Sequence, residues 1–88
     1  MPHSPEDKQR AITRLRRIRG QAQALEKAVA AGSDCAPILQ QLAAMRGAVH
    51  GLMTDLLDGH VRETLQQQPA PSPEAVEETL ALLRSYLK

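Results

Sequence analysis

The sequence predicts an all-α protein with a three-helix protomer. Two long stretches carry apolar residues at alternating spacings of four and three, each stretch is bounded by capping residues, and a single proline-rich break sets off a third, shorter helix. That alternation is a helical seam and not the period of two that marks a half-buried strand.

Helix 1 is predicted over about residues 5–30, with Ala11, Leu15, Ile18, Ala22, Leu25 and Val29 on its seam. Ser4 supplies the N-cap oxygen. Pro5 suits the first helical position, where its missing N–H would be unpaired anyway, and Glu6 and Asp7 complement the positive end of the helix dipole. Gly32 stops the helix, and Ser33-Asp34 offer caps for the next one, which tolerates Pro37 in its first turn. Helix 2 is predicted from about 35 to about 65. Ile38, Leu42, Met45, Val49, Leu52 and Leu56 form its seam, widened by Leu39, Met53 and Leu57 into a face broad enough for two packing partners. Residues 66–72, rich in glutamine and proline, lack periodicity and read as an extended linker. Ser72-Pro73-Glu74 then repeats the capping logic of Ser4-Pro5-Glu6 and opens helix 3, about 73–87, with Val76, Leu80, Leu83 and Leu87 facing inward.

A length of 88 residues allows a single domain, 1–88, and Tyr86 is its only aromatic residue, so the core must be aliphatic and thin. A chain this short buries only about 60% of its unfolded surface. Aliphatic stripes left over from one hairpin therefore call for a second subunit, and a homo-oligomer is expected. No apolar run approaches the ~20 residues of a membrane-spanning helix, and MPHSPEDKQR has no hydrophobic signal core, so the expected location is cytoplasmic. Cys35 is the only cysteine and reads as a free thiol.

Net charge is +1, yet Lys8, Arg10, Arg14, Arg16, Arg17 and Arg19 fall in one stretch of helix 1 that contains no acid, which leaves the remainder of the chain acidic. On a helical wheel Arg10, Arg14 and Arg17 form a stripe beside the apolar seam, while Lys8, Arg16 and Arg19 spread over other exposed faces. Arg46 adds to this surface from helix 2. A basic surface without aromatic interleaving favours duplex DNA over single strands.

The polar residues that merit weighing as a site are Pro2, His3, Cys35 and His60. Cys35 and His60 lie on one helix, separated by roughly 38 Å at 1.5 Å per residue, so a single chain cannot bring them together. If two copies of helix 2 pack antiparallel, Cys35 can stand opposite the partner subunit's His60, and the crossing then falls at Gly47-Ala48. Gly47, Ala48 and Gly51 are small enough to permit close backbone approach there. A tight turn at Gly32 returns the first residues of the chain to the neighbourhood of its own His60, which adds Pro2 and His3 to a site shared by two subunits. His50 reads as a surface residue, and Met45 and Met53 as core packing instead of copper ligands.

With these features, the chain resembles the CsoR/RcnR family of small bacterial repressors, and in particular its formaldehyde-responsive, FrmR-like branch. The likeness covers nearly all of helices 1 and 2 and is carried by MPHSPEDK, TRLRRIRGQ, CAPILQQLAAMRG, GLMTDLL and GHVRETL. It implies a three-helix protomer, an antiparallel four-helix-bundle dimer, a dimer of dimers, and operator binding without a helix-turn-helix. The resemblance also implies that the residues at the inducer site separate the branches. The copper branch has a second cysteine where this chain has Thr64, the persulfide branch likewise needs two cysteines, and the nickel and cobalt branch adds a third histidine at residue 64 to those at positions 3 and 60.

Proline at position 2 points to aldehyde chemistry. Removal of the initiator methionine exposes a secondary amine that condenses with formaldehyde, and the Cys35 thiolate of the neighbouring subunit can attack the resulting iminium ion. A helix start favours negative charge on a sulfur placed there, and His60 can orient the groups or relay a proton. The expected function is a formaldehyde-released, DNA-binding repressor. The alternative is a nickel-, cobalt- or zinc-responsive repressor that uses His3, Cys35 and His60, with the Pro2 amine or Glu63 as additional ligands; on the aldehyde reading no metal is required, and any zinc, nickel or cobalt is adventitious or regulatory. A structural helical adaptor is the remaining class. An enzyme is not expected, because the site traps one inducer molecule and offers no route to turnover.

Overall fold

The computed structural model describes residues 4–86 and contains three helices in the order α1 (Pro5–Ala30), α2 (Cys35–Leu65) and α3 (Pro73–Tyr86). The described residues fall into two compact units, one ending at Thr54 and one beginning at Asp55. No helix among them is long and apolar enough to cross a membrane. The expectations placed on Pro2, His3 and Leu87 fall outside the described residues.

The first unit holds α1 and the first part of α2. Ser4 caps α1 through its side-chain oxygen, which accepts the Asp7 N–H at 3.0 Å, and Pro5 occupies the first turn. At the other end the chain closes in a left-handed turn. Gly32 has φ +74°, its N–H donates to Val29 O at 3.1 Å, and the Ser33 N–H donates to Ala28 O at 3.0 Å, so two carbonyls of the last helical turn are satisfied. Only glycine adopts that φ without a Cβ penalty.

Ala11, Ile18 and Leu25 of α1, and Ile38, Met45 and Leu52 of α2, are turned-in apolar residues of this unit, each row spaced by seven. The rows are symmetric about the turn at Ala31-Gly32, the register of an antiparallel hairpin folded tightly on itself. Among the described residues Leu25 and Leu52 are the two buried side chains, at 6% and 7% exposure.

The predicted seam of α1 splits in two. Ala11, Ile18 and Leu25 face inward as expected, but Arg14, Gln21 and Ala28 complete the covered face, while Leu15, Ala22 and Val29 stay exposed. On α2, Leu39, Leu42, Val49 and Met53 are likewise exposed, which corrects the expectation that Met53 is core. One helix covers one flank of its neighbour, so a two-flanked seam leaves its second row open when a single partner is present.

In the second unit, Leu56, Leu57, Val61 and Thr64 of α2 are half-buried, as are Ala75, Thr79 and Leu83 of α3. The Ser72 side chain accepts the Ala75 N–H at 3.1 Å and the Ser72 carbonyl accepts the Val76 N–H at 3.0 Å, which sets the start of α3. Val76 and Leu80, expected inward, remain partly exposed because they border a cavity of about 200 Å³ that they line together with Val61, Thr64, Leu65, Pro71, Thr79 and Leu83.

Two glycines give opposite expectations. Gly32→Val should lower stability by about 1–2 kcal/mol, because an L-residue is forced into the left-handed region. Gly20→Ala, in mid-helix with open space where its Cβ would go, should raise stability by about 0.5–1 kcal/mol. Denaturant titration of both variants at one fixed protein concentration checks the pair.

Candidate functional site

Cys35 is the first residue of α2, directly after the turn, and its thiol is free and exposed. His60 lies in the last turns of the same helix and is half-buried. The two are about seven turns apart along α2, so one chain does not bring them together. Residue 64, one turn beyond His60, is Thr64, and its hydroxyl donates to the His60 backbone carbonyl at 2.9 Å. That bond engages the hydroxyl with the helix itself. Nearby, Arg62 and Asp58 form an exposed ion pair at 2.8 Å, and Glu63 is half-buried. Among the described residues no three His, Cys, Asp or Glu side chains converge as a metal-binding group. Pro2 and His3 lie outside the described residues.

The basic residues of α1 divide by burial. Lys8, Arg10, Arg16, Arg17 and Arg19 are exposed, as is Arg46 of α2, whereas Arg14 is half-buried on the face turned toward α2. Arg10 approaches Asp7 at 3.7 Å, with both side chains more than half exposed, a pairing that solvent and salt screen heavily. Arg10 and Arg14 line an open groove of about 650 Å³ along the start of α1, together with Pro5, Glu6, Gln9 and Thr13.

A second groove, of about 210 Å³, runs between the two helices of the first unit and is lined by Arg14, Arg17, Gly47, Ala48 and Gly51. Arg14 Nη1 lies 3.5 Å from the point where a Cβ on Gly51 would stand. The three small residues assigned by sequence to a crossing between two copies of α2 thus border their own α1, with Gly51 beneath an arginine. The sequence signal for this was the i, i+4 spacing of Gly47 and Gly51, opposite a basic stripe on a helix of unknown rotation. Gln21 is a further residue that the sequence did not single out: its Oε1 is shielded from solvent and has no hydrogen-bond partner among the described residues.

Chemically, an exposed thiol at a helix start can attack a carbon electrophile. Guanidinium groups ranged along one helix can donate paired hydrogen bonds to phosphate oxygens.

The family model described as a metal-sensitive transcriptional repressor matches residues 7–85. An uncharacterized protein in the bioA 5' region of Serratia marcescens is 46% identical over 91 residues, and the transcriptional repressor RcnR of Salmonella paratyphi B is 41% identical over 90 residues; both alignments cover the whole of each chain. A solved structure of a variant of the formaldehyde-responsive regulator FrmR from Salmonella enterica serovar Typhimurium is similar at a TM-score of 0.82 and 47% identity, covering 97% of this chain and 99% of that one.

Titration of the reduced native protein with a chromogenic disulfide reagent should register about one thiol per chain without denaturant, and none for Cys35→Ser.

Proposed function

This chain belongs to the metal-sensitive transcriptional repressor (CsoR/RcnR) family, and from that premise we propose that formaldehyde is the signal that releases it from operator DNA. As a repressor of this family it binds its operator and is not an enzyme. The observation that carries the inducer assignment is the donor set: one exposed thiol, Cys35, and a Thr64 hydroxyl engaged with the His60 carbonyl where a further metal ligand would otherwise stand. Such a set is poor for a metal and sufficient for a one-carbon electrophile. The likeness to a formaldehyde-responsive regulator over 97% of the chain supports the same assignment.

The chemistry balances without an oxidant. The Pro2 secondary amine adds to formaldehyde, the adduct loses hydroxide to give an iminium ion, and the Cys35 thiolate of the neighbouring subunit attacks that carbon. The net result is an N–CH2–S bridge and one water. His60 and His3 flank the bridge and can move the proton that leaves the amine. Bulkier aldehydes place substituents on the bridging carbon that the interface must accommodate.

A shared site requires an assembly, and the exposed aliphatic rows provide for one. Leu15 and Val29 on α1, and Leu39 and Leu42 on α2, are 42–61% exposed in the single chain, and covering such a side chain stabilises by about 1.5–3 kcal/mol each. A second copy packed antiparallel covers these rows and sets Cys35 beside the partner subunit's His60; two such dimers form the tetramer. Arg10, Arg14 and Arg17, assisted by Lys8, Arg16, Arg19 and Arg46, are the phosphate-facing surface. A covalent bridge at the ends of the helix pair changes the angle between subunits and takes paired arginine patches out of register with the duplex. Differential affinity of about 1.4 kcal/mol is already tenfold in binding.

The family's description as metal-sensitive, together with His60 near the end of α2, favours a second reading in which nickel, cobalt or zinc bound by His3, Cys35 and His60 is the inducer.

Formaldehyde treatment should add about 12 Da per bridge, the mass of CH2O less water, on a peptide linking Pro2 to Cys35. It should weaken duplex binding at least tenfold, while Cys35→Ser binds DNA and does not respond. Release by Ni(II), Co(II) or Zn(II), with no response to the aldehyde, is the result that selects the metal reading. Sedimentation should give a tetramer for the unmodified protein, and Leu15→Glu or Leu42→Glu should shift the mass toward smaller species, since a buried unpaired charge costs several kcal/mol.

A further inference from the structure

We propose that the cavity between the end of α2 and α3 is a binding site for one neutral, apolar molecule about the size of a single aromatic ring. Every described wall of this cavity belongs to the second compact unit, and the site does not depend on the inducer assigned above.

Two helix faces and one proline make the walls. On α2, Val61, Thr64 and Leu65 stand at spacings of three and four and so share one face of its last turns. On α3, Val76, Thr79, Leu80 and Leu83 repeat the pattern, and Pro71 adds its ring from the linker. Each face carries a threonine where a leucine would fill more of the gap, and about 200 Å³ stays open.

What lines the space decides what fits it. No charged side chain is among the described walls, in contrast to the two grooves of the first unit, which arginines line. The side-chain polar atoms of those walls are two hydroxyls, and both are committed: Thr64 donates to the His60 carbonyl at 2.9 Å and Thr79 to the Ala75 carbonyl at 3.0 Å. The walls therefore offer an anion no free side-chain donor, and a charged guest would lose its hydration without compensation. An apolar guest faces the opposite balance. Apolar cavities of about 150 Å³ stay dry and accept benzene, so one of about 200 Å³ has room for a single ring or a small fused pair such as indole. Val76 and Leu80, 39% and 38% exposed at its edge, give such a guest a way in and apolar surface to cover. A helix with its side chains is about 10 Å across and does not enter a space of this size, which favours a small molecule over a segment of a second copy.

The test follows isotope-labelled methyl groups of the full-length protein by NMR during titration with benzene, indole, benzoate and pyrene. Benzene and indole should shift the methyl signals of Val61, Val76 and Leu83 saturably, with dissociation constants on the order of a millimolar. Benzoate should not bind, because its charge finds no donor, and pyrene should not fit. Leu80→Trp, which places a ring of its own in the space, should weaken benzene and indole roughly tenfold, and Val61→Ala, which enlarges it, should favour indole over benzene. Circular dichroism and sedimentation on each sample should show unchanged helicity and assembly mass; if Leu80→Trp does not fold, the wild-type probe series and Val61→Ala decide. Absence of a saturable shift, shifts confined to the exposed Leu15 and Leu39 methyls, or equal binding of benzoate overturns the site. A fall in assembly mass on addition of benzene also overturns it, and assigns the cavity to a contact between copies.

Discussion

A single α2 can cover only one flank of α1, and most of what distinguishes this chain follows from that limit. The hairpin folded at Gly32 brings Ala11, Ile18 and Leu25 against the row of Ile38, Met45 and Leu52, yet among the described residues only Leu25 and Leu52 are buried. With no tryptophan or phenylalanine and one tyrosine, the chain has no large side chain with which to deepen that core. The adjacent rows, Leu15 and Val29 on one helix and Leu39, Leu42 and Val49 on the other, stay in solvent until something covers them. A chain of this length has too little bulk to cover such rows within one fold.

The same limit explains where Arg14 lies. Its row would carry an aliphatic residue if α2 presented bulk there, but α2 presents Gly47, Ala48 and Gly51. The cleft left by these small residues admits the arginine stem, and the hydrocarbon part contributes apolar contact while the guanidinium stays at the groove. Packing and charge are thus combined in one side chain, and the position of that cation is tied to the geometry of the hairpin.

Sensing is constrained by helix rigidity. Cys35 opens α2 and His60 stands near its close, and an unbroken helix keeps them apart regardless of side-chain rotamer. On the proposed reading, a site that draws on both ends recruits a second chain, and the inducer then acts on the assembly directly. Thr64 bears on the proposed choice of inducer, because its hydroxyl is engaged with the His60 carbonyl of its own helix.

By itself the sequence determined the three helices and their chemistry of stops and starts. Those signals are local: Ser4 and Ser72 cap through bonds spanning three residues, and Gly32 is needed for one backbone angle, so each is readable without knowing what lies across from it. It also displayed the cluster of basic residues and the lone thiol, because composition does not depend on folding. The tertiary structure alone decided which side of each helix is covered. A seam with period 3.5 contains two flanks, and rotation of α1 by a fraction of a turn exchanges Leu15, Ala22 and Val29 for Arg14, Gln21 and Ala28 without altering the pattern in the sequence. That rotation is set by the bulk of the facing residues, a property of pairs distant in the chain, and for this reason the arginine over Gly51 became visible only in three dimensions.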